Sequence, residues 1–443
     1  RVSENLFINL EVSIMKKGIV ILVIVLGIVF SLLTTTLAIS AEKVEITYWG
    51  IQDDQANIMP KLVKRFNDTH PNIEVKYLIV PLEQGTATKL LTAIAGGNPP
   101  DAARLDRTMT VQWGALGSLV PLNEFMKESG VKREDFYPRA LDDCIWNDQV
   151  WALPVEADPC AMLFWNKDLF RQVGLNPEKP PKSIEELDEL ADKLTKRDDR
   201  GNFERIGFAP WLHMGFTFWP SGWAFGGEFY DPKTKKVTAN DLKIVQAMEW
   251  VLSYAKKLEA TRVKSFAATY STAAAINPFI AGRLAMAYDG VWAIGSLKKY
   301  APKLKYGWRT VPGYSKGGRE NFFVLGCSVV IPKGSKHPKE AWEFINWLTS
   351  GDALRDWCSA NSYLPAKIDV ADNPIFFRNP DYARMISIMK TIYDSPPVMP
   401  AIGVYTSEIQ AAQDAVIYFQ KTPKQALNDV TAKVQAELNK YLK

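Results

Sequence analysis

Histidine is scarce in this chain, three residues in 443, and cysteine is hardly commoner at four. His70, His213 and His337 lie far apart, and Cys144, Cys160, Cys327 and Cys358 include no CxxC pair, so a zinc centre is not expected. The phosphate-cradling GxxxxGK[ST] loop is missing, so ATP is not bound by a P-loop here, and no cofactor is expected. An excess of one charge is also lacking. Lys and Arg total 53 against 49 Asp and Glu, a net +4 too small to imply nucleic acid as a partner. Repeats and low-complexity stretches are absent too, and a composition 47% hydrophobic and 23% charged is that of an ordinary globular protein. Single cores stop growing near about 250 to 300 residues, so the length predicts two lobes.

The one long hydrophobic run stands near the N-terminus. Met15, Lys16, Lys17 and Gly18 precede an unbroken apolar stretch from Ile19 to Phe30 that continues through Leu32 and Leu33. Small residues follow at Ala38, Ser40 and Ala41, so the segment reads as a signal peptide cut after Ser40 or Ala41. Residues 1–14 precede a natural start at Met15 and are set aside as a start-site artefact. The rival reading is an uncleaved anchor, since Ile19 to Ile39 is long enough to span a bilayer. A lipid anchor is not expected, as no cysteine lies near the cut. Export would leave the four cysteines either in one of three disulfide pairings or as buried thiols.

Beyond residue 41 the pattern alternates. Val44 to Trp49 reads as a strand ended by Gly50, Asn57 to Phe66 as a helix, Ile73 to Val80 as a strand and Thr86 to Ala95 as a helix. A short strand follows at Asp101 to Leu105, and this order predicts a parallel sheet covered by helices. A second such region starts near Cys160 with a strand at Ala161 to Trp165. Ser183 and Glu186 then form a capping box ahead of Leu187, Leu190 and Leu194. Helices are predicted at Leu242 to Lys257, Pro338 to Leu348 and Gln425 to Leu442. The segment from Phe203 to Asp231 is too rich in aromatics to be a solvated linker.

Enzyme motifs are few. Gly313 to Gly317 matches GxSxG, but no Asp lies between Ser315 and His337 to complete the order of a hydrolase triad, and a surface turn explains it better. Asp53, Asp106, Glu156 and Asp289 are available as paired carboxylates, which keeps a secreted glycoside hydrolase as the alternative function. The 14 tryptophans, all beyond residue 41, point elsewhere: indole faces stack on sugar rings, and neighbouring polar side chains bind the hydroxyls. Trp250, Trp342 and Trp347 sit on apolar helical stripes and are assigned to the core. Trp49, Trp219, Trp223 and Trp292 lie at loop punctuation and are the candidates for a ligand.

Taken in order, ITYWG (46–50), RFNDTHPNIEV (65–75), NPPDAARLD (98–106), ALPVEADPCAMLFWNKDLF (152–170), AFGGEFYD (224–231), FIAGRLAMAYDGVWAIG (279–295), VVIPKGSKHPKEAWEFINWLTS (329–350) and YLPA (363–366) resemble the bacterial family 1 extracellular solute-binding proteins. These are the carbohydrate-binding subunits of ABC importers, maltose-binding protein among them. The resemblance implies an α/β, two-lobed periplasmic binding protein fold of type II with a hinge between the lobes. Residues 1–41 would be upstream sequence and signal peptide, 42–152 the first part of lobe 1, 153–158 a hinge and 159–320 lobe 2. Residues 321–325 would be the second hinge, 326–360 the return to lobe 1, and 361–443 the C-terminal helices, mostly in lobe 2.

The resemblance also implies ligand contacts from Gln52, Asp53, Asp106, Arg107 and Glu156, with Trp219, Trp223, Trp292 and Tyr405 as stacking positions. The expected protein is a monomeric, non-enzymatic receptor, periplasmic or extracytoplasmic, that captures a sugar or polyol and docks on an ABC transporter permease. A glycoside hydrolase would turn its sugar over, and an anchored structural surface protein would bind no small ligand saturably.

Overall fold

A computed structural model describes residues 15, 43–51, 58–80, 86–212, 218–270, 277–390 and 394–442, the side chains of residues 51, 86 and 87 excepted. The signal-peptide reading falls outside them. Among the described residues no helix is long and apolar enough to cross a membrane.

The strands that organise the chain are β1 (Val44–Ile51), β2 (Ile73–Val80), β3 (Ala102–Asp106), β4 (Leu153–Pro154), β5 (Asp158–Cys160), β6 (Met162–Asn166), β7 (Met286–Asp289), β8 (Tyr306–Arg309), β9 (Phe323–Leu325) and β10 (Cys327–Val330). The first lobe is built on a five-stranded sheet in the order β2-β1-β3-β10-β4. β1 lies parallel to β2 and β3, and β10 runs antiparallel between β3 and β4. Alternation places Ile46 and Tyr48 in the core while Thr47 and Trp49 are half-buried. Gly50 continues β1 rather than ending it, and the Tyr77 ring crosses its backbone so closely that a Cβ would sit 2.5 Å from the ring. The helix Met59–Thr69 buries Met59, Leu62, Val63 and Phe66 at helical spacing, and Phe66 packs edge-on against Phe344 of the helix Pro338–Leu348, with ring centres 5.1 Å apart.

The second lobe is built on β7-β6-β8, and here every pairing is antiparallel. Periodicity announces strands but not their direction, which is why the pattern suggested a second parallel unit. β6 is central and wholly buried, as a strand covered on both faces must be. Ser183 caps the helix Ile184–Leu194 by accepting from the Glu186 amide, while the Glu186 carboxylate reaches back to the amide of Lys182. Trp250 and Trp342 are buried and Trp347 is half-buried, as their helical stripes predict.

The lobes are joined where β5 pairs with β9. Gly326, just after β9, has φ 153°, and a Cβ there would stand 2.4 Å from the Glu156 carbonyl oxygen, so no other residue fits without displacement. Tyr363 to Ala366 runs beside the first crossing: Ala157 donates to Leu364 and Ala366 to Val155. The helix Pro380–Met389 then returns to the second lobe, where Asp381 accepts from Tyr306 and Trp308. The last helices, Ile402–Ile417 and Pro423–Leu438, pack on each other and on Leu242–Leu258. None of the four cysteines forms a disulfide; Cys144, Cys160 and Cys358 are buried and Cys327 is partly exposed.

Candidate functional site

An open cavity of about 430 Å³ lies between the lobes. Arg139, from the first-lobe helix Pro138–Asp142, forms one side. Trp223 and the run Glu228 to Pro232 form the other, and a strap from Ser395 to Val398 closes it. The volume lies within the range of small-ligand sites, about 300–1,000 Å³.

The aromatic floor has a structural cause. The helix Trp219–Ala224 is buried at every position, because Gly222 lets the Phe229 ring approach to where a Cβ would lie 2.2 Å away. Trp219 stacks on Trp223 at 6.4 Å and meets Phe229 and Tyr405 edge-on at 4.6 and 5.0 Å. The Tyr405 hydroxyl donates to the Phe229 carbonyl at 2.7 Å. Trp219 and Tyr405 are thus packed behind the floor, and of the expected stacking residues only Trp223, itself largely buried against Trp219, Phe229 and Phe323, lines the cavity. Tyr230, half-buried and next to Asp231, offers a second ring that the sequence reading missed. The GEFYD stretch containing it had been quoted for the resemblance, and its aromatic was the available signal.

The polar rim is already organised. Arg319 pairs with Glu228 at 2.6 Å and with Asp394 at 2.7 Å. Asp231 accepts from the Thr234 hydroxyl and from the Lys233 amide, which hold its carboxyl below the usual range. Burial pushes the Asp394 carboxyl up to about 6, although Arg319 opposes the shift.

Glu156 and Arg107 lie beside the paired strands β5 and β9. Arg104 donates to the buried Glu156 carboxylate at 2.8 Å, and the same oxygen accepts from the Cys327 amide at 2.9 Å. The Arg107 guanidinium donates to the carbonyls of Glu156 at 2.6 Å and Val324 at 3.3 Å, one on each crossing segment, and its Nε lies 3.4 Å from Asp143. These partners hold both side chains in the joint rather than at the cavity wall. Asp158, beside them, accepts from the Leu364 amide; burial and the nearby Glu156 push its carboxyl well above the ordinary range. Asp106 is exposed at the end of β3 and caps the turn that follows by accepting from Thr108. Gln52 and Asp53 lie outside the described residues.

Trp292 stands apart. It lines a second cavity with Asp289, Phe164 and Asn277, and at about 20 Å³ that space holds a water molecule, not a sugar. Ser315 of the GxSxG match sits in an exposed turn with its hydroxyl on Glu185, an arrangement unlike a nucleophile elbow. Among the described residues no group of three His, Cys, Asp or Glu is placed to hold a metal ion.

The family model described as bacterial extracellular solute-binding protein matches residues 61–384. The chain belongs to that family. Its fold is the two-lobed type II periplasmic binding fold, and it is a binding protein rather than an enzyme. A solved structure titled CpMnBP1 with mannotriose bound is 30% identical, with a TM-score of 0.78 over 88% of this chain and 100% of that one. The maltotriose-binding protein of Pyrococcus abyssi is 24% identical over 90% of this chain and 82% of its own length. The sn-glycerol-3-phosphate-binding periplasmic protein UgpB of Escherichia coli is 24% identical over 90% and 93%. Family membership removes the hydrolase alternative. The geometry agrees, because Glu156 is already engaged by Arg104 and the Cys327 amide and Asp289 faces the small second-lobe cavity.

Proposed function

We propose that this protein, as an exported monomer, captures a sugar or related polyol between its lobes and delivers it to the permease of an ABC importer. One observation carries the reading: the interlobe cavity sets the half-buried Tyr230 ring and the largely buried Trp223 among Arg139, Glu228 and Asp231. Rings supply the apolar surface that sugar C–H faces need, and the polar groups supply donors and acceptors for hydroxyls. The relative solved with mannotriose supports an oligosaccharide of that size. The segments 153–158 and 321–325 serve as the hinges. Ligand meets one lobe first and, by adding contacts to the other, favours the closed state. Asp106, exposed at the end of β3, together with Gln52 and Asp53 completes the first-lobe contacts.

Calorimetric titration with mannobiose, mannotriose, maltotriose and glycerol 3-phosphate tests the proposal. The expected result is saturable binding of at least one neutral sugar, recovered intact afterwards. Binding of glycerol 3-phosphate alone, or turnover of a sugar, overturns it.

A further inference from the structure

The strap from Asp394 to Val398 is wall and hinge at once. Ser395 to Val398 line the cavity, while Asp394 bridges Phe323 of β9: its amide donates to the Phe322 carbonyl at 2.8 Å and its carbonyl accepts from Val324 at 3.3 Å. Ser395, half-buried, places its hydroxyl 3.0 Å from the Asp143 carboxylate and 3.2 Å from the Pro396 carbonyl. Asp143 caps the helix that carries Arg139, and its other oxygen faces Arg107, whose guanidinium holds a carbonyl on each crossing segment. A continuous polar path therefore runs from the cavity wall through Ser395, Asp143 and Arg107 to Glu156 and Val324.

We propose that Ser395 and Asp143 are positioning residues that couple occupancy of the cleft to the hinge, acting on Arg107 rather than on ligand. The physical reason is that both ends of the path are fixed. Arg107 and Asp143 are buried, so loss of the Ser395 hydroxyl leaves the Asp143 carboxylate short of the hydrogen bond that ties it to the strap. The strap is itself hydrogen-bonded to β9. A ligand that pushes or draws Ser395 thus moves the pairing of β9 as well. An indole path runs alongside, because Trp223 lies 5.3 Å from the Phe323 ring. The proposal rests on the cleft being the ligand site, but its first test needs no ligand.

Hydrogen–deuterium exchange of the ligand-free, full chain reads the hinge directly. Ser395→Ala and Asp143→Asn should speed exchange of the Val324 and Leu325 amides at least threefold and leave the β1 and β3 amides unchanged, and Ser395→Thr should restore protection. In stopped-flow binding of mannotriose the same two variants should raise koff at least threefold with kon within twofold. Unchanged hinge exchange in both variants overturns the coupling. So does faster exchange spread evenly over the core, or failure of Thr to rescue. If the hinge amides respond and wild-type protein binds no mannotriose or other sugar, the coupling stands and the sugar reading falls. If sugar binds but the amides do not respond, the reverse holds.

Discussion

At the scale of single residues, the rings of the second lobe separate by what lies behind them. Trp219 and Tyr405 have their faces and edges taken by neighbours, whereas Tyr230 is half-buried on the cavity rim. Removing the Tyr230 ring should weaken sugar binding by at least about 1 kcal/mol, roughly five- to tenfold in Kd. Calorimetry on Tyr230→Ala measures this. The parallel change Trp292→Leu should leave Kd within twofold and lower Tm instead, because that indole fills space around a water-sized void. Equal losses of affinity in the two variants would place the ligand elsewhere. Composition makes tryptophan the unusual residue, but it does not say which indoles are wall and which are core. That distinction depends on Gly222 and Phe229 meeting across a turn, a contact that no periodicity records.

At the scale of elements, the best-read parts were those set by local pattern. The strand Ile73–Val80 and the helices Thr86–Ala95 and Pro338–Leu348 have the bounds that alternation and helical spacing gave. Gly and Pro also mark 153–158 and 321–325, the segments proposed as crossings, and β5 pairs with β9 at or beside them. Illegible were the direction of the second-lobe strands and the strap at 394–398. A segment reading SPPV has no period, and its partners, Phe323 and Asp143, are about 70 and 250 residues away in sequence. The hinge also yields a firm expectation. Gly326→Ala forces a Cβ against the Glu156 carbonyl at a φ that L-residues avoid, and should cost ~2–4 kcal/mol in denaturant unfolding. Retained wild-type stability would mean that the crossing relaxes freely.

For the molecule as a whole, several acids lie where ionisation is disfavoured. Burial raises Asp143 and Asp394 to about 6 and Asp289 to about 7, and Asp158 well above its ordinary value. In the unfolded chain these groups titrate near about 4. The folded state therefore keeps protons that the unfolded state has already lost. The resulting stabilisation is complete below about pH 4 and fades as pH rises through 6 to 7. Tm should accordingly be higher at pH 5 than at pH 8. Asp289→Asn, which removes the group raised to about 7, should flatten part of that slope. A Tm that rises from pH 5 to pH 8 would show that these carboxyls are better solvated than their burial indicates.

The lack of disulfides among the four cysteines carries a practical corollary. With no covalent cross-link to form, the polypeptide should refold as well in dithiothreitol as without it. Three thiols are shut inside and Cys327 alone is partly accessible, directly across from Asp106 where the two lobes meet. A single maleimide dye placed there would make the native sequence its own reporter of opening and closing.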